Sequence, residues 1–177
     1  MLNLEFDDLV AVFRKCSRRA FHLETSDDYS GTDPAEAEGL QRFLAGETED
    51  DSWMDYWFDL MGEMASNGVA VQRVRVISVP HSDYTRYSLA TTQRSIDSGE
   101  DIRWLPRDLA RELPSDDWWL FDDNLVAYTV FTDTGTLPGW MATTDPVIAA
   151  HCVSVRDRLW PKAIRHADYT RTGGDSR

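Results

Sequence analysis

Two spacings of apolar residues alternate along this chain, and the switches between them mark its elements. From Val69 to Pro106 a Val/Arg alternation gives way to a helical stretch and then to a second short alternation. The first run stops at Pro80, which has no N–H to give to a ladder. Ser82 suits a helix N-cap, and Gly99 suits a left-handed stop. Asp101 to Leu105 then reads as a returning strand. Strand, crossover helix and strand predict a right-handed βαβ unit whose two strands run parallel.

Around this unit the same reading places further elements. Phe6, Leu9, Val10, Phe13, Cys16 and Ala20 recur at helical spacing, which predicts an amphipathic helix over 3–20. Phe21 to Glu24 reads as a short strand on an edge. Residues 30–51 read as a long Gly-, Asp- and Glu-rich loop holding one helix at Pro34–Ala45. Trp53, Tyr56, Trp57, Leu60, Met61 and Met64 predict a helix that Asn67-Gly68 stops. Beyond the unit come a helical turn at Arg107–Leu113 and two apolar runs joined by Asp122-Asp123-Asn124, the chemistry of a β-hairpin. A turn at Asp133-Thr134-Gly135 and an edge strand over Thr136–Met141 follow. A helix over 144–163 buries Ile148, Cys152, Val155 and Leu159. The fold class is therefore α/β: a mixed sheet built on the βαβ unit plus a hairpin, with helices packed on it. Residues 1–68 form an N-terminal helical, acidic extension packed on this core, 69–169 the core itself and 170–177 a disordered tail, all within a single domain.

Charge changes the picture in one respect. The net charge is −13, and residues 1–69 carry 16 acids against 5 bases. Such a chain repels phosphate, so direct nucleic-acid binding is disfavoured. The acid excess reads first as a solvated surface and second as a docking face for a basic partner. The chain has no apolar run long enough to span a membrane and no secretory leader pattern, so a cytoplasmic protein is expected. Cys16 and Cys152 read as reduced packing residues.

The candidate chemistry is sparse. His22 and Glu24 share one face of their strand, where a histidine and a carboxylate can move a proton, or simply form a surface ion pair. Arg73 and Arg75 share a face of the first βαβ strand. A strand covered on both sides should be apolar, so these arginines either aim at a carboxylate or phosphate ligand or pair with acids from the N-terminal third. The carboxyl end of that strand, Ser78 to Arg86, is where open α/β sheets bind ligands; Ser82, Tyr84 and Arg86 offer polar groups there, and Ser78 joins them as a candidate ligand-binding residue. His81 reads as an exposed loop histidine. Arg103 and Trp104 end the second strand at the same side. His166 and Asp168, followed by Tyr169, make a second histidine–carboxylate pair that shares a face if extended. GxGxxG, Walker, GxSxG, HExxH and CxxC motifs are all absent, so no cofactor or metal is expected.

The words HLE with DDY (His22 to Tyr29), VRVISVPHSDYTRY (Val74 to Tyr87), GEDIRWLPR (Gly99 to Arg107), DWWLFDD (Asp117 to Asp123) and HADY (His166 to Tyr169) are spread over nearly the whole chain. In that order they resemble an actinobacterial domain family of unknown function, often encoded beside helix-turn-helix regulators in Streptomyces-type genomes. The chain departs from that pattern in its acidic stretch before Ser52, and in Ser88, where the resemblance implies an acid. The order of elements over 69–165 is also similar to one half of a phospholipase D-like domain. That chemistry needs an HxK motif, and none of His22, His81, His151 or His166 is followed by Lys two residues on.

Two functions follow as expectations. The first is a catalytically silent module that binds a partner or small ligand in a bacterial regulatory circuit, the partner being a helix-turn-helix regulator. The second is a small-molecule enzyme of specialised metabolism. In it Glu24 and His166 act as acid and base, and Arg75, Arg86 and Arg103 hold an anionic substrate.

Overall fold

The computed structural model describes residues 1–47, 50–132 and 139–172. The Asp133–Gly135 turn, the first residues of the edge strand expected after it and the last five residues of the chain lie outside the described residues. In chain order the elements are β1 (Leu2–Leu4), α1 (Phe6–Lys15), β2 (Arg19–Glu24), α2 (Pro34–Leu44), α3 (Asp55–Ser66), β3 (Ala70–Ile77), α4 (Asp83–Asp97) and β4 (Glu100–Pro106). Then come β5 (Trp118–Phe121), β6 (Leu125–Val130), β7 (Gly139–Thr143), α5 (Pro146–Leu159), β8 (Ile164–Arg165) and α6 (His166–Arg171). The described strands form one mixed sheet in the order β1-β7-β6-β5-β2-β3-β4-β8, so the strand expected at an edge after the Asp133–Gly135 turn, β7, lies inside it, with β1 paired on its outer side.

The βαβ unit stands as the sequence predicts. β3 and β4 are parallel, with Val74 opposite Arg103 and Arg75 opposite Trp104. Ser82 caps α4 by accepting from the Thr85 N–H at 3.0 Å, and Gly99 takes a φ of +119°. The hairpin is present too, β5 pairing β6 antiparallel across the Asp122–Asn124 turn.

The N-terminal third differs from expectation. It is not an extension laid on a finished core, because β2 sits in the middle of the sheet, parallel to β3 and antiparallel to β5. The helix expected over 3–20 is shorter, since residues at both its ends pair as β1 and β2. The Phe21–Glu24 segment is thus a central strand and not an edge. Both parallel crossovers, through α3 and through α4, return over one face, as right-handed connections require.

The two faces hold separate cores. Phe21, Leu23, Val74, Val76, Leu105, Trp118 and Leu120 pack on Cys152, Val155 and Leu159 of α5. On the other face Leu9, Val10 and Phe13 of α1 meet Leu60, Met61 and Met64 of α3 over Trp119 and Phe121. Both cysteines are free and buried. Among the described residues no helix is long and apolar enough to cross a membrane.

Asp122 ties the first helix to the hairpin. Its carboxylate accepts from the N–H groups of Ser17 and Arg18 at 2.8 Å and of Arg19 at 3.0 Å, where the chain leaves α1 for β2. Desolvation raises its pKa, but these donors outweigh it and hold the carboxyl well below its usual range. Asp122→Ala is expected to cost about 1–3 kcal/mol, since the donors lose a charged acceptor. A lower urea midpoint with unchanged slope in equilibrium unfolding checks this.

Candidate functional site

The alternation of β2, β3, β4 and β5 puts two rows of side chains on the face beneath α4. In the first row Trp119, His22 and Arg73 are direct cross-strand neighbours. In the second Glu24, Arg75 and Trp104 are neighbours. Above them α4 presents Ser88, Thr91, Thr92 and Ser95, at the i, i+3, i+4, i+7 spacing where a packed helix would carry Leu or Val. Small hydroxyl side chains over charged ones leave a cavity of about 210 Å³. Aromatic rings of Tyr29, Trp53, Phe58, Phe131 and Trp140 complete the wall, with the carboxylates of Glu36, Asp51 and Asp117.

Glu24 is buried between two guanidinium groups. Arg73 Nη1 donates to Glu24 Oε1 at 2.6 Å, and Arg75 Nε lies 2.7 Å from Glu24 Oε2 without its N–H pointing at the oxygen. Arg73 also pairs with Glu100 at 2.9 Å, and Arg75 donates to the Ser88 hydroxyl. Ser88, where the resemblance implied an acid, is thus an arginine partner. Burial would raise the Glu24 pKa, but Arg75 and Arg73 overcome this and lower it to about 2. Arg73 lies over the rings of Trp57 and Trp119, and Arg75 over Trp104 at 5.6 Å, contacts that suit a desolvated guanidinium. Of the two accounts of these arginines, pairing with acids is the one observed.

His22 stacks on Trp119 with ring centroids 4.2 Å apart. Its Nδ1 is 3.4 Å from Glu24 Oε1, and among the described residues neither ring nitrogen has a hydrogen-bond partner. Burial lowers its pKa to about 3, so the ring is neutral near pH 7 and carries one donor and one acceptor nitrogen.

The other sequence candidates divide. Tyr84 lines the cavity and donates to Glu36 at 2.7 Å. Trp104 lies beneath Arg75 and donates from Nε1 to His166 Nδ1 at 3.0 Å. His166 is therefore separated from Glu24 by Arg75 and Trp104, and it opens α6 instead of lying on an extended segment with Asp168. Asp168 is exposed and pairs with Arg171, while Tyr169 stacks on Trp104 and meets His81 Nε2 at 3.1 Å. His81 lies in a loop as expected, but it is buried and not exposed. Arg86 pairs with Asp83 on the helix surface. Arg103 lies on the opposite face of the sheet, paired with Asp101 and stacked on Trp160 at 3.8 Å. The three arginines assigned to one anion do not converge.

The carboxyl end of β3, where a ligand was expected, is filled from within. Asp27 accepts from the Ser78 N–H and hydroxyl at 2.7 and 2.6 Å and pairs with Arg107. A carboxylate of this chain holds the place an external anion would take, and the cavity lies instead over the sheet face. Sequence reasoning missed Glu36, Asp117, Trp119 and Trp53 as wall residues. Asp117 and Trp119 stood in the DWWLFDD word and read only as strand; Glu36 carried no signal within an acidic loop.

A family model for a domain of unknown function, DUF6879, matches residues 7–171. The chain belongs to the DUF6879 family. Compared with curated proteins, it matches none. The DUF6879 match begins inside α1 and ends with α6, so it takes in every residue of the cavity wall. Among the described residues, no group of three or more His, Cys, Asp or Glu side chains stands at metal-binding spacing.

Acid should weaken this fold through the same residues. The unfolded chain protonates His22 near pH 6.5, the folded one near pH 3. Stability present above pH 6.5 is therefore lost as pH falls through that window, at about 1.4 kcal/mol per pH unit per proton. Glu24, lowered from 4.5 to about 2, adds to the loss below pH 4.5. The difference in unfolding free energy between the wild type and His22→Phe is expected to shrink from pH 7 to pH 4.5. Glu24→Gln leaves two buried guanidinium groups short of a counter-charge and is expected to cost about 3–5 kcal/mol, read from denaturant unfolding.

Proposed function

We propose that this chain is a small-ligand-binding module whose ligand sits in the cavity between α4 and the sheet. One observation carries the reading. Among the described residues His22 Nδ1 and Nε2, Trp53 Nε1 and Thr129 Oγ1 are buried without a hydrogen-bond partner, and all belong to residues of this one wall. Buried polar atoms are nearly always paired, so unmatched donors and acceptors around a single cavity mark a recognition surface. The volume, about 210 Å³, has room for a small molecule.

In the regulatory form of this reading, the partner is a helix-turn-helix regulator, as the resemblance to actinobacterial neighbours of such regulators implies. The acid-rich N-terminal third, 16 acids against 5 bases, supports a charged contact that salt would weaken. The phospholipase D-like likeness adds no chemistry, because no HxK motif is present. The acid–base enzyme has less support. Glu24 is pinned as a carboxylate by two arginines, and His166 stands beyond Arg75 and Trp104.

Ligand-observed NMR with a fragment library tests the cavity directly. Fragments are expected to bind the wild type and to lose binding in Ser95→Phe or Thr91→Phe, which fill the space from α4, with far-UV circular dichroism confirming the fold. Fragments that bind the filled variants equally well, or a library with no binder, would overturn the reading.

A further inference from the structure

The charge around the cavity is unbalanced. The wall holds four carboxylates, Glu24, Glu36, Asp51 and Asp117, and two arginines, Arg73 and Arg75. Both arginines are already matched, since Glu24 pairs with each of them and Glu100 with Arg73. Asp51 pairs with Arg94 from outside. Glu36 and Asp117 are left, and among the described residues neither has a cation within ion-pair distance.

Hydroxyl and amide donors are all that reach these two. Tyr84 donates to Glu36 at 2.7 Å. Asp117 accepts from the Thr25 N–H at 2.8 Å, the Thr25 hydroxyl at 2.6 Å and the Tyr29 hydroxyl. The rings of Tyr29 and Tyr84 are in contact, centroids 5.8 Å apart, so the two tyrosine–carboxylate pairs stand side by side on one wall. Glu36 keeps most of its acceptor sites free. Burial pushes both carboxyls above their usual values, the sign of buried anions short of a counter-charge. Trp53, Phe131 and Trp140 line the same space, while Arg94 lies over the ring of Phe58 at 4.4 Å, and aromatic faces attract a desolvated cation.

Resting on the ligand-binding reading, we infer that the ligand is an organic cation, an ammonium held by Glu36 and Asp117 with its apolar body on the aromatic wall. An anionic ligand would meet the free carboxylates with no free arginine to offset them. A neutral one would leave the imbalance in place. Neutral His22 and the indole N–H of Trp53 then serve the polar groups of the ligand body.

Three probes that share an indole ring separate the charge from the cavity: tryptamine, indole and indole-3-acetate, titrated at pH 7 by calorimetry and ligand-observed NMR. Tryptamine is expected to bind at least about tenfold more tightly than indole, and indole-3-acetate most weakly. Glu36→Gln, which keeps an acceptor for Tyr84, is expected to remove most of tryptamine's advantage while leaving indole unchanged. Asp117→Asn should act in the same direction. Should that variant unfold, Glu36→Gln and the wild-type series decide alone. Equal binding of tryptamine and indole, or tighter binding of the acetate, would overturn the cation while leaving a ligand-binding cavity. So would neutral fragments that bind where tryptamine does not. Binding by none of the probes, together with an empty fragment screen, would overturn both readings.

Discussion

A carboxylate buried between two arginines holds this structure together at its centre. Glu24, Arg73 and Arg75 are all nearly withdrawn from water, and Glu100 closes the set on the far side of Arg73. Taking any one of these charges out of water costs several kcal/mol, so the arrangement stands only if all the charges are matched together. That condition fixes the register of β2 against β3, because a slip of one residue would turn Glu24 to the apolar α5 face. It also makes the N-terminal third inseparable from the rest. Without β2 the arginines of β3 would lie buried against Glu100 alone.

The same charges keep one face of the sheet open. Guanidinium and carboxylate groups take up space without interdigitating as Leu and Val do, and α4 answers them with Ser and Thr instead of large apolar residues. The opposite face shows what the alternative looks like. There Phe21, Leu23, Val74 and Val76 meet α5 in a continuous apolar core. One face is thus apolar along these strands, while the other sets a polar patch under α4 beside the apolar core under α1 and α3, and the strand alternation sorts residues between the faces. The approach of α2 extends the polar side. Gly39 lies so close to Tyr87 that a Cβ would come within 2.3 Å of its hydroxyl, and that approach carries Glu36 to the cavity wall.

Close packing fills two places at the sheet's end where a ligand was expected. Asp27 occupies the carboxyl end of β3, and Tyr169 covers His81. Each replaces an external partner by a group from the chain itself. The unmatched atoms of His22, Trp53 and Thr129 belong to residues around the cavity under α4, in contrast to the usual crevice at the strand ends.

Local pattern alone determined the βαβ unit, the hairpin at Asp122–Asn124, the α3 and α5 stripes and the alternation that puts His22 with Glu24 and Arg73 with Arg75. Those features depend on periods of two and 3.6 residues and on caps and turns, all of which act over a few positions. Only the tertiary structure decided that β2 is central, that Arg103 faces away from Arg75, and that Glu36, Asp117 and Trp53 stand at the same wall. Strand order and the meeting of distant segments are set by packing across many tens of residues, which no local spacing records. The exposure of His22 and Glu24 belonged to the same class: their residue types read as surface, and three paired charges together made burial possible.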